Sequence, residues 1–284
     1  MEVKEKLSIN AVIRYAILIA VGIILLYPLF WMIGSAFKQN IDIFGTFSIF
    51  PPPGRGTLDN FYNAWHLSRN NTILFYFGNT MRFLIPKTIF TVISCTLTAY
   101  AVARFSFPGK KIVFTTIIVT LLMPEIAFRI PIFLLFRDLG LIDTFAALYI
   151  QDIFAVNSFF VFMIIQFMRT IPRELDEAAH IDGCSAIQTL LLIITPVLKP
   201  IIITVALLTF MWGMNDFQGP LIFLNSPQNT VLSVALQRLL DGDSVIIFGE
   251  VFAAATMALI PLIAIFFAGS KYFVDGVANS GGKE

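Results

Sequence analysis

The chain is written in long apolar runs separated by short polar stretches. A helix needs about 20 mainly apolar residues to cross roughly 30 Å of hydrocarbon. Six runs meet that length: 11–37, whose centre from Ala16 to Ile33 holds no charge, then 79–103, 112–136, 145–168, 196–224 and 249–273. The polar stretch 38–78, which contains Pro51-Pro52-Pro53-Gly54, reads as an external loop, and so does 225–248. Within the latter, Val231, Leu232, Val234, Ala235, Leu236, Leu239 and Leu240 form an apolar, helix-like run, which reads equally as a re-entrant or interfacial cap on the bundle. Lys4, Lys6 and Arg14 ahead of the first run imitate the basic start of a signal peptide. The run is too long for one, however, and no small-x-small cleavage pattern follows it, so a retained first helix is expected. The pattern predicts an all-α membrane protein, a single domain of six transmembrane helices with both ends on one side.

Composition agrees. Of 284 residues, 57% are hydrophobic and 13% charged, where a soluble domain carries about a quarter charged residues. The net charge of +1 supplies no field for nucleic acid. Cys95 and Cys184, like His66 and His180, lack partners at metal-ligand spacing, so neither a disulfide framework nor a zinc site is expected. Orientation follows the basic residues near the span ends. Eleven fall on the side of Lys4, Arg104, Lys110, Lys111, Arg169 and Arg173, against eight on the side of Lys38, Arg82 and Arg137. Both termini are therefore expected in the cytoplasm.

Polar residues interrupt or border the spans at Glu125, Arg129, Asp152, Asn157, Asn215, Asp216 and Gln218. Ionisable groups at membrane depth tend to face a water-filled route or a partner. Glu125, Arg129 and Asp152 also read as residues of the outer interface, reached by water. Pro124 and Pro131 bracket Glu125 and Arg129 and remove backbone donors there, so that segment is expected to be packed or to line a pore.

The loop 170–195 between the fourth and fifth runs carries the most specific signal. From Thr170-Ile-Pro-Arg to His-Ile-Asp-Gly183 it reads as a short helix outside the bilayer. Pro172 suits a first turn, while Glu174, Asp176 and Glu177 suit its positive dipole end. Gly183 suits a left-handed stop. Ala178 and Ala179 let another surface approach, and Leu175 and Ile181 supply apolar contacts. Such a rod fits a groove in a soluble partner. As a passive helix in the headgroups it would lack the basic face that holds one there.

Glu177-Ala178-Ala179, three residues, Gly183, nine residues, Ile193, then Thr195-Pro196 resembles the EAA motif of bacterial ABC-importer permeases, with Thr195 where the usual pattern has Leu. Tyr27-Pro-Leu-Phe-Trp-Met32 with Ser35-Ala-Phe-Lys38 resembles the first span of the MalG-type carbohydrate permeases. So do Ala99-Tyr-Ala-Val-Ala-Arg-Phe-Ser-Phe-Pro-Gly109, Leu139-Gly-Leu-Ile-Asp-Thr144 and Trp212-Gly-Met-Asn-Asp-Phe217 followed by Gly219-Pro-Leu221. The tail from Lys271-Tyr-Phe-Val-Asp-Gly276 to Glu284 is similar as well, without the usual final Lys-Gly.

The resemblance implies the type I ABC importer permease fold in a bacterial inner (cytoplasmic) membrane, with the short cytoplasmic rod as its coupling helix. It implies four partners: a second, MalF-like permease, a dimer of ATP-binding subunits, an extracytoplasmic solute-binding protein and an oligosaccharide substrate. Glu177, Ala178, Ala179, Asp182, Gly183, Ile193 and Pro196 would belong to the ATPase contact. The loop 225–248 would reach the binding protein, and the C-terminal tail would contact the ATPase dimer. No Gly-x4-Gly-Lys-Ser/Thr sequence occurs. The chain is thus expected to be no enzyme and to hold no cofactor, with ATP and magnesium in the partner. Trp212, Asn215, Asp216, Phe217 and Gln218 pair aromatic faces with hydrogen-bonding groups and are expected along the substrate pathway, although aromatics at helical spacing more often pack than bind. The wording around Asn215–Leu221 resembles members that import plant or algal oligosaccharides, including uronate-containing ones. Against a fixed anionic substrate, no Lys or Arg lies between Ile201 and Leu224. The alternative is an ion-coupled secondary transporter using Glu125 and Asp216. It would need an internal repeat, and the two halves show no self-similarity.

Overall fold

The structure, a computed structural model, describes residues 9–45, 48–67, 71–240 and 246–280. Lys4 and Lys6, residues 241–245 of the stretch expected to be the second external loop, and the tail 281–284 lie outside them. The described residues fold almost entirely into helices, in the order α1 Ile9–Ser35, α2 Asn40–Gly45, α3 Asp59–Trp65, α4 Ile73–Arg104, α5 Lys110–Leu122, α6 Arg129–Asp138, α7 Ser158–Arg169, α8 Glu174–Ile181, α9 Ala186–Gln188, α10 Thr195–Met214, α11 Gln218–Phe223, α12 Leu232–Arg238 and α13 Phe248–Ser280. Five helical segments are long and apolar enough to cross a membrane: Ala11–Ser35, Ile73–Arg104, Ile150–Arg169, Ala186–Met214 and Phe248–Ser270. A sixth span results if α5 and the segment Glu125–Asp138 are taken together.

Three spans depart from straight helices where the sequence weakens them. The run 112–136 is bent by 101° between Leu122 and Glu125. Met123 and Pro124 are extended (ψ 136° and 122°), as expected for a residue forced out of helical geometry by the proline after it. Pro131 falls in the first turn of α6, where its missing N–H costs nothing. The run 145–168 is a regular helix only from Ser158. Phe145–Leu148 and Ile150–Phe154 are tight 3-10 turns, Ala155 is left-handed, and Asn157 caps α7 by accepting from the Phe160 N–H. The run 196–224 begins earlier, at Ala186, and passes through a π-helical stretch, Thr189–Ile194. Pro196 and Pro200 supply no N–H to the turns before them. The helix then stops at Met214, ahead of Asn215 and Asp216. The second span starts at Ile73 rather than 79, and the last continues as helix to Ser280.

The chain divides into two compact units, Met1–Ile73 with Leu236–Leu259, and Leu74–Ala235 with Ile260–Glu284. In the first, Asn60 caps the end of α1 by donating to the carbonyls of Ala36 (2.9 Å) and Lys38 (2.8 Å). Lys38 is fully buried, its ammonium bonded to the Ser48 carbonyl and 5.9 Å from the Trp31 ring. Burial pushes its pKa down, and the nearby Asp42 carboxylate pulls it part of the way back. α1 itself is exposed along most of its length, which for so uniformly apolar a helix is the environment of lipid or of another subunit.

The second unit is built on a core of Cys95, Phe160, Ile164, Ile165, Leu198 and Ile201, all fully buried, from α4, α7 and α10. A buried polar cluster fastens the irregular 145–157 stretch to α4. Asp152 accepts from the Thr91 hydroxyl (3.0 Å), pairs with Lys87 at 3.5 Å, and its carbonyl accepts from Ser94. Asp152 is only 9% exposed, which corrects its reading as a water-washed interface residue. The reason lies in tertiary contacts, because Lys87, Thr91 and Ser94 reach it from one face of α4.

Candidate functional site

The short helix α8 is held at its C-terminal end and by one side. Its C-terminus closes as a Schellman motif, with the Cys184 N–H bonded to the Ala179 carbonyl (2.9 Å) and the Gly183 N–H to that of His180 (3.1 Å). Gly183 sits at φ +81°, a conformation in which a side chain is strained although the space around it is open. Ser185 and Gln188 then form a reciprocal capping box that starts the next helix. On its inner side α8 buries Ala179 (4% exposed) and is tied to the end of α4. There Arg104 pairs with Asp176 at 3.2 Å and donates to the Ile171 carbonyl (3.1 Å).

The outer side is left open. Glu174, Glu177, Ala178 and Ile181, spaced i, i+3, i+4 and i+7, form one exposed stripe. Ile181 is 85% exposed. The stripe is two carboxylates, a methyl group and a bare aliphatic side chain along a rod of about 12 Å. Of the residues expected in this contact, Glu177 and Ala178 lie on the stripe, Asp182 and Gly183 are exposed at its end, and Ala179 faces inward. Ile193 is half-buried in the π-helical stretch and Pro196 is exposed in the first turn of α10.

The residues expected along the substrate pathway cluster at the break between α10 and α11. Trp212 stacks on Phe160, with ring centroids 5.2 Å apart, and tilts against Phe159 at 5.8 Å. Asp216 accepts from the Gly219 N–H (3.0 Å), which opens α11, and its carbonyl accepts from the Ser233 hydroxyl (2.7 Å). The Asn215 amide donates to the Met211 carbonyl (2.8 Å). Trp212 spends one ring face on packing and Asp216 spends one carboxylate oxygen on a helix start, while Asn215 and Gln218 are exposed. Glu125, the other candidate ion site, is 87% exposed and paired with Arg129 at 3.2 Å.

Asp143 is a second organising residue, one that the reading of polar residues in the spans passes over. It holds φ +63° and receives the backbone N–H groups of Asn225 and Ser226 (both 2.9 Å), the Ser226 hydroxyl and the Asn229 amide. From the other side, Asn79 donates to the carbonyls of Gln228 and Thr230 (both 2.8 Å), and the Thr80 hydroxyl accepts from the Leu232 N–H. The chain from Asn225 to Leu232 is thus clamped at both ends. The hydrogen bonds of Ser226 hold the Asp143 carboxyl down to about 2. The Asp-Thr pair at 143–144 before an apolar run is the available signal, but its partners lie more than 80 residues away.

Residues 92–279 match the family described as binding-protein-dependent transport system inner membrane component. The chain is 30% identical to the trehalose/maltose transport system permease protein MalG of Thermococcus litoralis, over 91% of its length and 92% of that protein. It is 28% identical to the galactooligosaccharides transport system permease protein GanQ of Bacillus subtilis, covering 99% of both. It is also 30% identical to the probable ABC transporter permease protein YurM of the same organism, over 89% of this chain and 82% of that one. Its fold superposes on a chain from the crystal structure of a bacterial ABC transporter involved in import of the acidic polysaccharide alginate, with a TM-score of 0.80 at 22% identity, over 93% and 96% of the two chains.

Proposed function

Because the chain belongs to the binding-protein-dependent transport system inner membrane components, we propose that it is the membrane-spanning permease subunit of an ATP-driven importer of sugars, oligosaccharides among them. Relatives named for galactooligosaccharides and for trehalose and maltose support that substrate class. The importer's other parts are a second permease, an ATPase dimer that holds ATP and magnesium, and an extracytoplasmic binding protein. Both termini and α8 lie on the cytoplasmic side.

The observation that carries the reading is α8. It is capped at its C-terminus, tied to α4 from within, and offers outward an apolar and acidic stripe that none of the described residues covers. Glu177, Ala178 and Ile181 enter a cleft of the ATPase, and Arg104–Asp176 passes the displacement of the rod to the end of α4. ATP binding and the loaded binding protein both favour the outward-open state, and hydrolysis resets it. A ligand shifts such an equilibrium only through unequal affinity for the two states. The clamped segment 225–232 meets the binding protein. Asn215 and Gln218 supply hydrogen bonds along the route. The ion-coupled alternative finds no support here: Glu125 is exposed and paired with Arg129, and Asp216 bonds to the start of α11.

The test is affinity purification of the tagged chain from its native membrane, with mass spectrometry of what accompanies it. A second permease and an ATP-binding subunit are expected, the latter lost in Glu177→Lys. A chain recovered alone that still moves solute without ATP would overturn the reading.

A further inference from the structure

At the end of the second unit that carries α8, a cleft of about 800 Å³ opens where α4 ends, α5 begins and α7 ends. Four cations converge on it: Lys110 and Lys111 from the first turn of α5, Arg169 from the last residue of α7, and Arg173 just ahead of α8. Among the described residues no carboxylate lines it. Arg169 is held over the Phe114 ring at 5.1 Å, and the Lys110 ammonium donates to the Phe105 carbonyl at 2.8 Å. Lys111, Arg169 and Arg173 are exposed. The walls beneath the cations are apolar, with Val102 and Ala103 from α4 and Ile112 and Phe114 from α5.

Like charges gathered in one concavity repel one another and raise its affinity for anions. The N-terminus of α5, capped by Gly109 without a side-chain bond, adds partial positive charge at the same place. An inorganic phosphate or a nucleotide would satisfy the cations but leave the apolar wall in water. The cleft also lies where three apolar helices end, at the level of the headgroups of any bilayer they cross. The geometry points to an anionic phospholipid, with its phosphate among Lys110, Lys111, Arg169 and Arg173 and its acyl chain along Val102, Ile112 and Phe114. Basic pockets between membrane helices take such headgroups for the same reason. The assignment requires only that the helices cross a bilayer, so it stands or falls separately from sugar import. Its position beside α8 makes lipid composition a lever on the helix that is proposed to dock.

The experiment uses the complex as extracted from membranes, placed in nanodiscs of equal parts phosphatidylglycerol and phosphatidylcholine, with native mass spectrometry of the lipids it retains. Phosphatidylglycerol is expected to be enriched. The pair Lys111→Gln and Arg169→Gln should lower that enrichment roughly thirtyfold, given the attraction of each basic residue for an anionic surface. The charge-matched pair Arg55→Gln and Arg137→Gln, which lies outside the cleft, should leave it unchanged. Equal loss in both pairs, no loss in the first, or displacement of the lipid by excess inorganic phosphate would each overturn the assignment. Should the first pair fail to assemble, a photoactivatable phosphatidylglycerol on the unaltered complex decides. Labelling within 102–114 and 169–173 supports the site, and labelling only elsewhere removes it.

Discussion

Gly183 and Asp143 show two ways in which a single residue sets local geometry. Gly183 is required by its backbone alone, since a Cβ there would meet nothing within 4 Å but would have to live at φ +81°. Gly183→Val is therefore expected to cost about 1–3 kcal/mol and to fray the end of α8. Circular dichroism should change little, while ATPase activity loses its dependence on binding protein. Normal coupling at normal expression would count against docking through α8. Asp143 works through its carboxylate. With the folded value held at about 2 against an ordinary 3.8, the carboxylate's contribution is complete above pH 4–5 and is lost as pH falls from there towards 2. Asp143→Asn should lower the melting temperature by a constant amount between pH 8 and 5, and the gap to the parent should close below about pH 4. A gap independent of pH would show that the charge is not what holds the clamp.

At the scale of elements, the central question is how α8 communicates with the spans. Arg104 is the last residue of α4, and its side chain is 7% exposed against Asp176. Breaking a half-buried charged contact of this kind costs about 1–3 kcal/mol. Arg104→Gln is expected to leave the spans folded but to free α8, so that protease cuts appear between 170 and 185 and transport falls more than assembly. The charge-reversed pair Arg104→Asp with Asp176→Arg should restore part of the protection. No restoration would mean that packing of Ala179, rather than the ion pair, holds the rod. The bend of 101° after α5 is a second element-scale feature. Its cause is local, because Met123 is forced extended by Pro124, and Pro124→Ala should relax it. A disulfide-mapping or spin-label distance across Leu122 and Arg129 that stayed unchanged would refute that cause.

At the scale of the whole molecule, an importer subunit should be inert alone. Reconstituted without its partners it is expected to hydrolyse no ATP and take up no sugar, and with them to do so only in the presence of binding protein and ATP. Proteoliposome uptake of a labelled oligosaccharide measures both. Much of this was legible along the chain, since six long apolar runs, the helix punctuated by Pro172 and Gly183, and the motif from Glu177 to Pro196 each rest on spacings of a few residues. Those are local quantities, governed by backbone geometry and by the thickness of hydrocarbon. The Ser185–Gln188 capping box was equally local and readable as Ser-x-x-Gln. The rest depended on partners far apart in the chain: Asp152 reached by Lys87, Asp143 reached by Asn229, Asp176 by Arg104, and Trp212 by Phe160. Whether a polar or aromatic residue in an apolar run opens a pathway or fastens the fold depends on which groups the folded chain brings within 3–6 Å of it, and linear spacing does not encode that distance.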